Sequence, residues 1–465
     1  MQRIDGRFIY SASDLNNFLE CEHLSGLDRR AALREIERPP ADNPQAEILA
    51  ELGEAHERSY LRRLQDSGKH VVTIERGSSN ADHATAAQAT AGAMRAGAAI
   101  IYQACFFDNA WLGYADFLRR IEVPSELGSW SYEVADTKLA RHTEPYFILQ
   151  LCFYSECVGA IQGRPPAQMH VILGHGVEES FRVKDYSAYY RATKARFLKR
   201  ISGDAPTYPY PTKHCDFCVW DTQCTQKRVA DDHLSLVAGM RRLQTARLTN
   251  AGITTLEALS KSTAEQRPAK MNLTTYEKLA RQARLQFEQR VALAAKELNP
   301  YKYEILPIDP GSFDKGGFAL IPPPNSGDVF FDMEGYPFYG LGEIGAESGL
   351  EYLFGAYTGD DKRFTAFWGC DRAARPAGKD RLAERRAFER FIDWVMERRR
   401  TFPDLHIYHY ASYEKTALQK LAQRHGTREE EVDTILRDEL LIDLYRVVKQ
   451  TICVGQPGYG IKKLE

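Results

Sequence analysis

Three cysteines lie close together near the middle of the sequence, spaced as Cys215-x2-Cys218-x5-Cys224. A fourth candidate, Cys21, lies far upstream. Thiolates at such short spacing are soft ligands that select zinc or an iron–sulfur cluster. The chain between Cys21 and Cys215 carries acids whose oxygens suit magnesium or manganese. The pattern predicts a metal centre that ties the two ends of one domain together around a second metal site, an arrangement that favours cutting of nucleic acid.

Two acids and a lysine lie on neighbouring predicted strands inside this bracket. The strand period of two puts Asp136 and Lys138 on one face, and Asp116 ends the preceding strand. Two carboxylates that converge from neighbouring strands can hold a divalent cation, and a lysine can offset negative charge in a transition state. These three residues predict hydrolysis of a phosphodiester.

Three further residues are candidates to support this site. His56, in Gly53-Glu-Ala-His56, could add a nitrogen ligand from an upstream helix. Gln150 and Tyr154 are four residues apart on a predicted helix, so they share one face and could contact substrate. Each residue alone is more often an ordinary surface or core residue. The ordered series Gly-x-x-His, Gly-x-x-Asp, Asp-x-Lys, Gln-x3-Tyr and the cysteines carries the prediction.

That ordered series resembles the RecB-like branch of the PD-(D/E)xK nucleases. It is similar to the iron–sulfur subset found in AddB and in CRISPR-adaptation exonucleases, and the helix from Asp14 through Cys21 resembles the start of bacterial RecB-like members. The resemblance covers roughly residues 8–230 and implies a restriction-endonuclease-like core. The implied metal ligands are His56, Asp116 and Asp136, and the implied catalytic residues are Asp116, Asp136, Lys138, Gln150 and Tyr154.

The same resemblance implies an iron–sulfur clasp. A [4Fe–4S] cluster would be held by Cys21, Cys215, Cys218 and Cys224. Spacing alone leaves zinc open, because His214 precedes Cys215 and one histidine with three cysteines is also a zinc ligand set. A structural role is expected, since the cluster would close the long chain segment between the first helix and the end of the domain.

A second pair of acids, Asp332 and Glu334, lies on a later apolar strand. The strand resembles the first motif of DEDD-type exonucleases with an RNase H-like fold, over about 327–465. Glu414 stands where that family has an aspartate, and Asp443 is expected to have a supporting role at most. The family's last acid lies in a terminal helix beyond the sequence given, so the resemblance implies an incomplete second metal site, inactive in this chain.

Apolar periodicity predicts an α/β fold, in two α/β domains bridged by helices. The predicted regions are 1–230 (nuclease domain with clasp), 231–320 (helical bridge) and 321–465 (incomplete RNase H-like domain). In the bridge, the turn at Gly252 resembles a helix-hairpin unit, and a plain helical spacer is the alternative. The predicted elements of the first region are helices over 12–36, 46–66 and 144–162, two strands within 99–123, and strands over 130–139 and 168–173.

Composition sets the remaining limits. The chain has 465 residues, 43% of them hydrophobic, which excludes a disordered chain. Its net charge of −2 neither supports nor excludes a nucleic-acid partner. Nine cysteines, with neither an apolar signal region nor an apolar run long enough to span a bilayer, predict reduced thiols, a cytoplasmic location and no membrane partner. No phosphate-loop motif occurs, so any helicase would come from a longer form or a separate subunit.

These features predict a magnesium- or manganese-dependent deoxyribonuclease, expected to be an exonuclease on single strands or ends, in DNA repair or defence. An alternative of a different class is a catalytically weak nucleic-acid-binding or assembly subunit of a larger nuclease–helicase system. A third interpretation is an RNA-directed nuclease.

Overall fold

The computed structural model describes residues 1–4, 6–203, 205–306, 316–342, 347–369 and 381–464. The described strands are β1 (Gln2–Ile4), β2 (Arg7–Ile9), β3 (Val71–Thr73), β4 (Ile100–Phe107), β5 (Leu112–Ile121), β6 (Ser131–Lys138), β7 (Gln168–Leu173), β8 (Glu178–Arg182), β9 (Tyr303–Ile305), β10 (Val329–Tyr336), β11 (Leu350–Thr358), β12 (Arg363–Trp368), β13 (Ile407–His409), β14 (Leu441–Asp443) and β15 (Ile452–Val454).

The described helices are α1 (Ala12–Glu20), α2 (Glu22–Ala32), α3 (Pro44–Asp66), α4 (Asn80–Arg95), α5 (Pro145–Gln162), α6 (Val183–Ser202), α7 (Asp221–Ala230), α8 (Arg242–Asn250), α9 (Leu256–Ser260), α10 (Leu273–Ala294), α11 (Arg381–Thr401), α12 (Tyr413–His425), α13 (Glu429–Arg437), α14 (Leu444–Thr451) and α15 (Ile461–Leu464). Each helix in this described set is too short or too polar to serve as a transmembrane span.

The chain divides into two compact units. The first comprises Met1–Lys227 with Gly340–Glu347, and the second comprises Arg228–Tyr339 with Ser348–Glu465. The chain therefore passes from one unit to the other close to the end of the cysteine-rich segment.

A six-stranded sheet, in the order β3-β4-β5-β6-β7-β8, forms the centre of the first unit. Strands β4, β5 and β6 form an antiparallel meander, and α5 then crosses over so that β7 pairs with β6 in parallel. Residues from Ser131 to Thr137 on β6 are buried, and α5 buries residues on most of its circumference. The strand that carries the predicted acids is thus central and covered, which holds its side chains in place.

The first helical segment differs from the prediction of one helix over 12–36. Cys21 ends α1 and begins α2 with an extended backbone, at φ −159° and ψ 107°. The start of α1 is closed by Ser11, whose hydroxyl and backbone interact with Asp14 in a capping box. The break turns the chain at Cys21, so this cysteine lies at a corner between two helices rather than on a helix face.

The second unit contains a five-stranded sheet in the order β12-β11-β10-β13-β14. Strand β10 is antiparallel to β11 and parallel to β13, which is parallel to β14. Helix α11 covers one face, where Phe391 stacks on Phe331 with ring centroids 4.3 Å apart. The alternation of buried and exposed residues along β10 leaves its acids on the other face.

Helices α8, α9 and α10 pack around their own small core in the second unit, which includes Leu248, Leu256 and Tyr276. The turn between α8 and α9 contains Gly252 with φ +86°, a left-handed conformation that glycine adopts without strain. The helices predicted for this region are present, and they pack as a cluster rather than as an isolated rod.

Candidate active site

Asp116 and Asp136 face each other across β5 and β6. The antiparallel register pairs Phe117 with Ala135, which places the two acids side by side. Asp116 Oδ2 accepts hydrogen bonds of 2.8 Å from both the backbone N and the hydroxyl of Thr137. Lys138 Nζ forms an ion pair with Asp136 Oδ2. The structure therefore brings together the three residues predicted to carry the chemistry.

This cluster carries an excess of negative charge in a buried place. Burial raises the pKa of Asp136, and the neighbouring Asp116 raises it further against the opposing effect of Lys138. Burial lowers the pKa of Lys138, but the two carboxylates outweigh it, so the net shift is upward and the ammonium stays charged. Neither carboxylate oxygen of Asp136 accepts a well-aligned hydrogen bond from the described residues. A buried carboxylate that has the Lys138 ion pair but no well-aligned hydrogen bond among the described residues fits a site for a cation.

Helix α5 covers this face of the sheet. Gln150 Nε2 donates to Tyr154 Oη at 3.3 Å, and burial together with the charge of Asp136 raises the pKa of the buried Tyr154 phenol. Gly113 on β5 permits the close approach, because a Cβ there would lie 2.7 Å from a ring carbon of Tyr154. The glycine of the Gly-x-x-Asp sequence thus lets the helix with Gln150 and Tyr154 pack onto the strand with Asp116.

His56 is not joined to the two acids. It is buried on α3, with its ring nitrogens 3.4 Å from the carbonyl oxygen of Ile172 and 3.3 Å from that of Gly342. Helix α3 packs against Phe117 and its neighbours in the sheet. Within the described part of the chain, no three His, Cys, Asp or Glu side chains are grouped as metal ligands.

An acid that the sequence patterns missed, Glu57, approaches Asp116 instead. Gln103 donates a side-chain hydrogen bond to Glu57 and accepts one of 2.8 Å from Arg76. Burial raises the pKa of Glu57, and the charge of Asp116 raises it further. Gln103 has a left-handed backbone, with φ +57°, and forms no strand pair of its own. Its neighbours Tyr102 and Ala104 pair with Phe117 and Ala115, so Gln103 lies opposite Asp116. The only signal in the sequence was that Glu57 directly follows the predicted ligand.

Three of the four clasp cysteines gather around one small core. Cys21, Cys218 and Cys224 pack, partly buried, against a group that includes the fully buried Trp220. Burial raises the pKa of the Cys218 thiol, and Cys215 and Cys21 lie close enough to raise it further. The indole Nε1 of Trp220 donates to Asp28 at 2.9 Å. The thiols converge, although in the described residues they are not arranged as a metal-ligand group.

The second pair of acids lies on the open face of the other sheet. Asp332 and Glu334 are exposed on β10, and Glu414 is buried in the first turn of α12. Partial desolvation by neighbouring groups raises the pKa of Asp332, and the charges of Glu414 and Glu334 raise it further. His409 Nδ1 lies 3.3 Å from Glu414 Oε2 and holds that carboxylate at the end of β13. The three predicted acids therefore share one neighbourhood.

Two further carboxylates, Glu351 and Asp443, contact the segment that joins β13 to the start of α12. Glu351, which the sequence patterns missed, accepts a hydrogen bond of 2.8 Å from Tyr413. Its carboxylate covers Gly335, where a Cβ would lie 2.3 Å from Glu351 Oε2. Asp443 caps α14 and accepts hydrogen bonds of 2.9 Å from the amides of Ala411 and Tyr445. Asp443 thus fixes the backbone after β13.

Comparison with known proteins assigns the C-terminal part of the chain. No curated protein matches the sequence. The five-stranded order described above, with three antiparallel strands followed by two parallel ones, occupies the matched segment. Residues 329–465 match the RNase H superfamily, and the chain therefore contains an RNase H-like domain at its C-terminal end.

Proposed function

We propose that the protein is a metal-dependent deoxyribonuclease that hydrolyses single strands or ends in DNA repair or defence. The observation that carries the proposal is the convergence of Asp116, Asp136 and Lys138 on adjacent central strands. The RNase H-like domain points to nucleic acid as the substrate class. In the first unit an antiparallel meander is followed by a crossing helix and a parallel strand. This order of elements supports a restriction-endonuclease-like core of the RecB-like type.

Asp116 and Asp136 would hold the magnesium or manganese ion. Magnesium keeps several waters and often binds through one or two carboxylates plus substrate phosphates, so a third protein ligand is not required. Such an ion supplies Lewis-acid activation of the phosphodiester and of the attacking water. The carboxylate of Asp136 accepts no well-aligned hydrogen bond from the described residues, which suits it to bind such an ion.

The chain's own residues supply the rest of the chemistry. Lys138 keeps its proton, and its side chain is 21% exposed, so its ammonium can reach a substrate phosphate and offset the charge that develops in the transition state. Tyr154 keeps its phenolic proton and with Gln150 forms a polar face on α5 beside Asp136. These two side chains position the substrate, and α5 itself limits access of bulk water.

A [4Fe–4S] cluster on Cys21, Cys215, Cys218 and Cys224 is part of this proposal. The gathering of three thiols around Trp220 supports it, because soft sulfur ligands suit such a cluster. Bound there, the cluster would stabilise the corner between α1 and α2 against the segment before α7. Zinc on the same thiols is the alternative.

The test is cleavage of end-labelled single-stranded and double-stranded DNA, and of RNA, by the full chain with manganese or magnesium. Lys138→Ala should reduce the rate about 10²–10³-fold, the usual loss for one group that stabilises transition-state charge. Lys184→Ala, at an exposed lysine on α6, is the matched control and should cut at the wild-type rate. Equal rates for Lys138→Ala and the control would place the chemistry elsewhere. Binding without any cleavage would instead support a binding or assembly subunit.

A further inference from the structure

A large cleft opens in the second unit, away from the carboxylates. Its volume is about 1150 Å³. It is lined by the first turn of α8, the first turns of α10, Gly316–Phe318, one side of α14 and the segment around Tyr459. Pockets for small ligands typically enclose about 300–1,000 Å³, so this cleft is suited to a longer ligand.

The charge of the cleft is positive in a chain of net charge −2. Its lining includes four cationic side chains, Arg241, Lys278, Arg281 and Lys449, and a single acid, Glu277. Neither Lys278 nor Lys449 forms an ion pair with any residue that the structure describes. Because these lysines are exposed and uncompensated, the cleft attracts a polyanion.

Helix α10 adds to this preference. Thr274 and Thr275 lie in its first turn and line the cleft. The positive end of a 22-residue helix dipole therefore points toward the cleft, together with two hydroxyl groups. Cations and a helix start that line the same cleft are suited to phosphate groups.

Aromatic rings also line the cleft. Phe318 is 41% exposed, and Tyr445 and Tyr459 are partly exposed. Lys449 Nζ lies 5.1 Å from the centroid of the Tyr445 ring. A groove that combines cations with exposed rings binds single-stranded nucleic acid, because phosphates contact the cations and unpaired bases stack on the rings.

Two contacts connect the cleft lining to Tyr410, which follows β13. The rings of Tyr410 and Tyr445 are 5.5 Å apart, and the Tyr410 hydroxyl donates to the carbonyl of Tyr459. Tyr410 directly follows His409, which holds Glu414. Tyr445, a lining residue of the cleft, is therefore in contact with the segment that follows β13.

We propose that this cleft binds a single-stranded polynucleotide, with phosphates on Lys278 and Lys449 and bases on Phe318 and Tyr445. The inference rests on the proposed function only in taking nucleic acid as the substrate. It assigns the strand a track in the second unit, which neither the family match nor the acid motifs specify.

The test is equilibrium binding of fluorescein-labelled 12-nucleotide oligo(dT), oligo(rU) and a duplex to the full chain in EDTA, which prevents cleavage. The double change Lys278→Glu with Lys449→Glu should weaken single-strand binding at least tenfold. It should also reduce the slope of log K against log salt by about 1.4, since each lost phosphate contact contributes about 0.7. Phe318→Ala, at an exposed ring, should weaken binding several-fold without lowering the melting temperature.

The matched control is Lys296→Glu with Arg386→Glu, which alters the net charge equally at two exposed sites outside the cleft. This control should bind like the wild type. Equal affinities for the cleft variant and the control, no binding by the wild type, or equally strong competition by polyglutamate would each overturn the proposal. The DNA and RNA arms identify the kind of strand. Failure of the proposed function would show separately, as absence of cleavage with manganese while binding in EDTA still responds to the cleft changes.

Discussion

Gly113 and Tyr154 are in such close contact that a Cβ at position 113 would lie 2.7 Å from a Tyr154 ring carbon and 2.6 Å from Phe153. Gly113→Ala should therefore push α5 away from β5, destabilise the protein by about 1–3 kcal/mol, as overpacking does, and reduce cleavage. Gly92→Ala on α4 is the control, because no atom lies within 4 Å of its Cβ. Urea unfolding should show the control as stable as the wild type or more so. Equal stability of Gly113→Ala would contradict the close packing.

Metal binding should stabilise the wild type through Asp136. A ligand at a hundred times its Kd stabilises a protein by about 2.7 kcal/mol, so saturating manganese should raise the melting temperature. Asp136→Asn removes the buried charge that attracts the ion and should lose both this increase and cleavage. An unchanged manganese response in Asp136→Asn would show that the ion binds elsewhere.

The stability of the first unit should depend on pH through His170. Burial lowers the pKa of His170, but Glu133 and Glu178 outweigh it and raise the pKa above its usual 6.5. Hydrogen bonds from His170 and Arg119 lower the pKa of Glu178 below its usual 4.5. The Glu178 contribution is thus present above about 4.5 and lost as pH falls. The His170 contribution is present below about 6.5 and lost as pH rises through its raised value.

His170→Gln should accordingly lower the free energy of unfolding between about pH 4.5 and 6.5. It should also reduce the loss of stability that the wild type shows as the pH rises above about 6.5. Melting temperatures of the variant and the wild type across pH 4–9 measure this difference. A difference that does not vary with pH would mean that His170 does not titrate in the folded protein.

The proposed [4Fe–4S] cluster should give the protein a colour. Anaerobically purified wild type should be brown and contain about four irons per chain. Cys218→Ser should lose the colour and lower the melting temperature, whereas Cys157→Ser, at a thiol outside the Trp220 core, should keep both. Stoichiometric zinc without iron from iron-replete cells would favour the alternative metal.

The two acidic sites should contribute unequally to cleavage. Asp332 and Glu334 are exposed on β10, whereas Asp136 of the first site is fully buried. They should bind a cation only weakly, so Asp332→Ala with Glu334→Ala should change the rate less than about threefold. The informative background is Asp136→Ala. If the Asp136→Ala variant keeps some activity, and this activity disappears when Asp332→Ala and Glu334→Ala are added, cleavage belongs to the RNase H-like domain.

The strand periodicity was sufficient to predict which residues share a face. Asp136 and Lys138 interact as the period of two requires, and β6, α5 and β7 lie close to the predicted ranges. The break at Cys21 was not predicted, because the apolar pattern continues from α1 into α2 and a single extended residue leaves no compositional signal.

The missed acids have a different cause. Glu57 is linked to the region of Asp116 by Gln103, an irregular residue of β4. Glu351 on β11 is positioned by Tyr413 at the start of α12. Neither relationship has a fixed spacing in the sequence, because both depend on how elements pack in three dimensions. His56 was predicted as a ligand from the Gly-x-x-His sequence, and its ring nitrogens lie near two backbone carbonyls, an arrangement that the sequence does not indicate.

The hydrogen bond from Trp220 to Asp28 joins residues 192 positions apart, and it lies in the core around α2. During synthesis at ~5–20 residues per second, roughly 10–40 s separate the emergence of these two residues from the ribosome. The apolar side of α2, with Leu24 and Leu27, therefore stays exposed until the cysteine segment has been synthesised. Any cofactor held by those cysteines can be inserted only after the sheet has had time to form, which makes its insertion a late step of maturation.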